Sequence, residues 1–206
     1  MVAAAGEPVR ISQTSAYYTT PVFTPDGTQI LALRSSNAVR MHSYMEYGAL
    51  RSCELVRLPA TRPIAPDPAR VVMHGMMGGT PHFGADSKIV YLIFDDGLHE
   101  VRLDGSGDRL LVKVTGPGWY FVEGRAPADD LRVSPDGHWV LAQFAQQLHL
   151  LKMPPPGTTI DIAQAGNFHR QLTDAGADFF AWGYGGRSIT WALGSTFYRR
   201  SSSLQP

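Results

Sequence analysis

The sequence predicts an all-β chain: β-propeller blades in four tandem four-stranded antiparallel units, the last incomplete, as part of a larger propeller. Three observations predict it. A complete turn signature occurs twice, as Phe23-Thr24-Pro25-Asp26-Gly27 and Val133-Ser134-Pro135-Asp136-Gly137, each followed by a short apolar run. Looser copies recur, with intervals between the later turns of about 50 residues, the spacing of propeller repeats. The 21 glycines and 15 prolines are spread along the chain, and no stretch has the periodicity of an amphipathic helix of ordinary length. A β-sandwich could use similar hairpins. The shared context of the two full-strength turns favours blades.

The turn signature has a local physical reading. Proline presets φ at the first turn position, aspartate bonds the neighbouring backbone, and glycine takes the positive φ that closes the turn. The flanking strands can then pair. In the first unit (residues 17–77) the strand ending at Phe23 leads through this turn to Gln29–Leu33. An insertion from Asn37 to Ser52 follows, in which Ser43 to Leu50 could form a turn or two of helix. Cys53 to Leu58 and Arg70 to Met73 supply the remaining strands.

The second unit (78–115) reads most clearly. A strand ends at Phe83, the weaker turn Gly84-Ala85-Asp86-Ser87 follows, and Lys88–Phe94 is apolar. Asp95-Asp96-Gly97 turns into Leu98–Leu103, and Asp104-Gly105-Ser106-Gly107 turns into Arg109–Val114. The third unit (128–173) continues from its full turn through Trp139–Ala142 and Gln147–Met153. Pro154-Pro155-Pro156-Gly157 begins a loop, and His169–Thr173 is the fourth strand. The fourth unit (177–200) turns at Gly183-Tyr184-Gly185-Gly186 and stops after a third strand, Thr196–Arg200. Residues 1–16 are an extension. They lack a basic n-region and an adequate apolar core, so they read as the remnant of a signal peptide or the cut end of a longer chain.

Composition bounds the function. Eighteen Lys+Arg balance eighteen Asp+Glu, which argues against coating nucleic acid by bulk charge. No apolar run approaches the roughly 20 residues of a membrane-spanning helix. Cys53 is the single cysteine, so an internal disulfide is impossible, as is a zinc site built from cysteines. It reads as a small core residue.

The turns, read together with the runs that follow them, resemble the WD40-like (PD40) repeats of the TolB type: an aromatic or apolar residue, Ser-Pro-Asp-Gly, then a basic and apolar alternation. Phe23 to Ala32 and Val133 to Ala142 carry this pattern, and Phe83 to Tyr91 carries it loosely. Segments such as Gly79-Thr80-Pro81-His82-Phe83 and Ile189 to Arg200 also resemble the propeller region that precedes the catalytic domain of bacterial TolB-like amidohydrolases. The resemblance implies a noncatalytic propeller portion that supports or gates an amidohydrolase domain absent from this chain. It implies an extracytoplasmic, periplasmic or secreted bacterial protein. It also implies a divalent metal such as zinc in the parent's catalytic domain, and no cofactor here. That family's His-x-His pair is missing: the seven histidines are scattered, and a barrel of about 250 residues does not fit.

Expected partners are therefore the amidohydrolase domain, another protein, or a second copy joined through open blade edges. Two alternatives stay open: a stand-alone module binding a protein or peptide, and a hydrolase with its site in the propeller channel.

For a site, the residues several positions before each turn would line one mouth of the channel. Tyr18, His82, Asp130 and Asp178 are the candidate ligand contacts, with Thr80, Asp129 and Phe179 among their neighbours. Wet channel mouths are commonly polar without any ligand. The loop aromatics Trp119, Tyr120 and Phe121 are candidates for covering the channel or contacting another domain, or for packing beneath their loop. No residue is assigned a catalytic or metal-binding role. Met73-His74-Gly75-Met76-Met77 reads as a linker rather than a copper site. The turn serines lack a nucleophile elbow. Asp95-Asp96 and Asp129-Asp130 are adjacent in strand context and point to opposite faces, which suits no acid/base dyad.

Overall fold

The computed structural model describes residues 9–42, 52–61, 70–75, 77–118, 124–166 and 169–202. The chain is nearly all β and divides into two compact units, 1–75 and 76–206. The first holds one antiparallel sheet in the order β1 (Tyr17–Phe23), β2 (Gln29–Ser35), β3 (Cys53–Pro59), β4 (Arg70–Gly75). Ala32, Val56 and Leu58 form a buried cluster on it, with Tyr18 packed alongside. A short helix, α1 (Asn37–His42), follows β2; the segment 43–51 lies outside the described residues.

The second unit holds three sheets. The first is β5 (Met77–Phe83), β6 (Ile89–Phe94), β7 (Gly97–Arg102) and β8 (Arg109–Pro117), with β9 (Arg125–Pro127) pairing β8. The next is β10 (Asp130–Val133), β11 (Trp139–Phe144), β12 (Gln147–Lys152) and, after an intervening strand, β14 (His169–Gln171). The last is β15 (Asp178–Gly183), β16 (Ser188–Leu193) and β17 (Thr196–Ser201), three strands among the described residues.

Strand alternation explains how these sheets stack. In β11, Val140, Ala142 and Phe144 join Leu98, Val112 and Val114 of the preceding sheet in one core. Leu141, on the other face, joins Phe180 and Ile189 of the following sheet, with Trp139 packed against them. Both faces of β11 are thus covered, which is why it reads as a continuous apolar run. Successive antiparallel sheets packed face to face are a propeller-like arrangement.

One strand departs from the expected loop after Pro154. Residues Thr158–Asp161 form β13, which pairs in parallel with the outer edge of β8, Thr158 opposite Val112 and Asp161 opposite Thr115. The insertion of one sheet therefore covers the exposed edge of its neighbour. Ile162, just beyond, drops into the shared core.

Candidate functional site

The first strands of three sheets share a defect. Register shifts between Thr19 and Val22 in β1, between Gly78 and His82 in β5, and between Asp178 and Ala181 in β15. Each bulge holds a left-handed residue: Thr20 at φ 50°, Gly79 at 65° and Phe179 at 43°. All three sit three or four residues before the aromatic that precedes the turn. Such bulges re-aim side chains, and they concentrate beside functional sites. A β-branched threonine and a phenylalanine adopt this region only under constraint from their surroundings.

In the second unit the bulges of β5 and β15 flank β10, and a polar network joins the three. His82 Nε2 accepts the Val133 N–H at 2.8 Å, and its Nδ1 lies 3.2 Å from the Thr80 carbonyl. The bonds assign the proton to Nδ1, which donates to that carbonyl. Burial of the ring, with Arg132 nearby, pushes its pKa down to about 3. His82 is therefore a neutral strut between β5 and β10, and both of its nitrogens are spent within the chain.

Arg132 supplies the charge. Its Nε and one terminal nitrogen donate to Asp130 Oδ2 at 3.0 and 2.6 Å, and the other terminal nitrogen donates to the Thr80 carbonyl at 3.3 Å. The guanidinium lies 5.6 Å from the centre of the Phe180 ring. Trp182 Nε1 donates to the Arg132 carbonyl at 3.1 Å, fastening β15 to β10. Burial raises the Asp130 pKa, opposed by Arg132 and by the Leu131 N–H that Oδ1 accepts. Gly79 leaves room for this carboxylate: a Cβ there would lie 2.5 Å from Asp130 Oδ1.

The candidate residues are thus distributed unevenly. His82 and Asp130 come together through Thr80 and Arg132. Asp178 opens β15, paired with Ala192, beside the 90% exposed ring of Phe179. Tyr18 belongs to the first unit, where it pairs with Arg34 and its hydroxyl donates to the Thr14 carbonyl at 3.4 Å. Trp119, Tyr120 and Phe121 lie outside the described residues. Sequence reasoning missed Arg132. The signal was its i,i+2 relation to Asp130, which places both on one face of a strand. A separate cleft of about 540 Å³, lined by Leu151, Met153, Pro154 and Ile160 among others, belongs to the β12–β13 insertion and not to this network.

No family model matches the chain, and no curated protein matches it. Solved structures do. Oligogalacturonate lyase in complex with manganese is similar at TM-score 0.52 and 15% identity, over 87% of this chain and 47% of that one. A protein assigned as a 6-phosphogluconolactonase from Bacteroides uniformis follows at TM-score 0.43 and 16% identity, over 91% of this chain and 52% of that one. The periplasmic gluconolactonase of Pseudomonas aeruginosa matches at TM-score 0.39 and 19% identity, over 87% of this chain and 48% of that one. The chain spans about half the length of each. The likeness establishes a propeller-like fold.

It also corrects one expectation. The turn signature and its flanking segments imply a noncatalytic portion of an amidohydrolase-related protein. The fold match is instead to a lyase, a propeller-type enzyme of different chemistry, so the amidohydrolase reading is withdrawn. Turn chemistry explains the error: a Ser-Pro-Asp-Gly hairpin specifies a blade and says nothing about which catalytic family uses it. The manganese belongs to that lyase. Among the described residues here, no three His, Cys, Asp or Glu side chains converge as a metal site, so this network does not fit the ion.

Proposed function

We propose that the chain is part of a TolB-like propeller enzyme that binds and transforms a small acidic carbohydrate at the bulged ends of its first strands. The observation that carries this reading is Phe179. A bulky residue held at φ 43° with its ring 90% exposed contributes nothing to the core. Its constrained backbone suits another role, that of presenting an aromatic face to the apolar face of a sugar ring. Asp178 beside it supplies hydroxyl-binding oxygens. Arg132, engaged with Asp130 and Thr80, retains N–H donors for a carboxylate. The His82 strut and the Trp182 bond hold these elements in place without being consumed by a ligand. The fold likeness to an oligogalacturonate lyase supports the substrate class.

The test is calorimetric titration of the chain with trigalacturonate, a neutral trisaccharide and an N-acyl amino acid amide. Saturable binding of the uronate alone, weakened at least about tenfold by Phe179→Ala, is expected. Equal binding of all three, or uronate binding untouched by that substitution, contradicts the reading.

A further inference from the structure

The turn end of the last sheet carries a second constellation, at the opposite end of β15 from Asp178. The turn between β15 and β16 has three consecutive left-handed residues, Tyr184 at φ 50°, Gly185 at 64° and Gly186 at 91°. Tyr184 has a side chain to strain and is 65% exposed. Around this turn lies a cleft of about 520 Å³ lined by Tyr184, Arg187, Ser188, Arg199 and Ser201.

Three features of this cleft point to one kind of ligand. First, two guanidiniums face it with no carboxylate: among the described residues neither Arg187 nor Arg199 has an acidic partner. Across 178–202 the acids number one, Asp178, at the other end of β15. Second, Ser188 Oγ is buried without a hydrogen-bond partner, in a residue only 6% exposed. A buried hydroxyl left without a partner is destabilising unless something fills its hydrogen bond. Third, the arginines are pre-positioned. Arg199 donates to the Tyr184 hydroxyl at 3.3 Å and lies 5.4 Å from the centre of its ring, while Arg187 Nε donates to the Tyr184 carbonyl at 3.1 Å. Strand register puts Ser188, Thr190, Arg199 and Ser201 on one face of the sheet, Ser188 opposite Ser201 and Thr190 opposite Arg199. Gly183 keeps the floor open, since a Cβ there would lie 2.8 Å from Ser188 Oγ.

We propose that this cleft is a phosphate-binding site, with Arg187 and Arg199 as the charged clamp and Ser188 as the neutral donor at its floor. Guanidiniums bind a tetrahedral oxyanion through several N–H groups at once, and a serine hydroxyl adds a donor of fixed direction. The phosphate is either free or carried on a larger molecule. None of these residues belongs to the carbohydrate site, so the two stand or fall separately.

The experiment is calorimetric titration of the chain, in phosphate-free buffer, with inorganic phosphate and separately with glucose 6-phosphate. Saturable binding of inorganic phosphate is expected, with Arg187→Gln and Arg199→Gln each weakening it by at least about tenfold. Ser188→Ala weakens it by a smaller factor, and Gly183→Ala blocks it. Arg200→Gln removes the same charge from β17, but its position pairs with buried Ile189 on the other face. That variant retains wild-type affinity. Arg187 and Arg199 are exposed, so their variants keep the wild-type thermal melt and serve even where Gly183→Ala unfolds. Tighter binding of glucose 6-phosphate assigns the site to a carried phosphate; equal or weaker binding assigns it to the free ion. Absence of saturable phosphate binding, an unchanged affinity in the Arg187→Gln/Arg199→Gln double variant, or an equal loss in Arg200→Gln overturns the proposal.

Discussion

The turns Thr24–Gly27 and Ser134–Gly137 solve the same problem as Tyr184–Gly186, and they solve it by opposite means. In the first pair the hydroxyl and the carboxylate hold the turn. Thr24 Oγ1 donates to Asp26 Oδ1 at 2.6 Å and accepts the Gln29 N–H at 3.1 Å. Ser134 Oγ donates to Asp136 Oδ1 at 2.5 Å and accepts the Trp139 N–H at 2.9 Å. The carboxylates also accept the N–H groups of Thr28 and His138 at 3.1 and 3.0 Å. In the last sheet hydroxyl and carboxylate are both gone. Three left-handed residues turn the chain, and Ser202 closes it from outside by donating to the Gly186 carbonyl at 2.5 Å. Losing the aspartate changes more than local geometry. A turn that holds a hydrogen-bonded carboxylate becomes one flanked by arginines without an acidic partner among the described residues. A degenerate repeat is thus where a repeat protein can acquire a new site.

Substitutions at these turns separate the two solutions. The largest effect is expected from Ser134→Ala, which leaves the Trp139 N–H without its acceptor at a residue 1% exposed. A loss of about 1–3 kcal/mol in urea unfolding is expected, with Thr24→Ala behaving alike. A change below about 0.5 kcal/mol would deny the hydroxyl its role. Next, Gly137→Ala should cost about 1–2 kcal/mol through backbone strain alone, because its φ is 74° and nothing lies within 4 Å of the added carbon. The mirror experiment is smaller: Tyr184→Gly should stabilise the chain by up to about 1 kcal/mol as its strained φ is released. Destabilisation instead would show that the ring's contact with Arg199 outweighs the strain.

The smallest effect comes from the turn carboxylates, in acid. The Thr24 hydroxyl holds the Asp26 carboxyl below its ordinary 3.8, with help from Thr28. Partial burial works to raise that of Asp136, but hydrogen bonds from Ser134 and His138 outweigh it and hold the carboxyl low. A depressed carboxylate pKa contributes stability above the unfolded value and loses it as pH falls through the folded one. The acid limb of a thermal-melt profile below about pH 4 should therefore flatten in the Asp26→Asn/Asp136→Asn variant. His82 acts higher. A histidine held at about 3, against an ordinary 6.5, stabilises fully above 6.5 and progressively less as pH falls toward 3. His82→Gln should remove that slope.

Much of the fold is legible in the sequence because hairpin chemistry is local. Pro25-Asp26-Gly27 and Pro135-Asp136-Gly137 announce their turns from adjacent residues, and even Tyr184-Gly185-Gly186 is visible through the apolar run after it. The parallel strand Thr158–Asp161 is not legible, since its pairing with β8 is decided by tertiary contact and its alternation is too short to signal a partner. The candidate site is legible by position and opaque by connection. Spacing before the turns singles out His82, Asp130 and Asp178. No motif encodes that His82 caps the Val133 N–H, or that Arg132 binds Asp130, because those bonds depend on how strands from different sheets meet.

Acidic sugars, on the function proposed, bind beside Phe179 on a platform braced by Arg132 and His82. Amide chemical-shift mapping of the labelled chain with trigalacturonate puts this to trial without relying on turnover. Perturbations should cluster at 130–132 and 178–180 and disappear in Phe179→Ala. Perturbations confined to 184–188, or scattered along the chain without saturation, would place the sugar elsewhere and refute the platform.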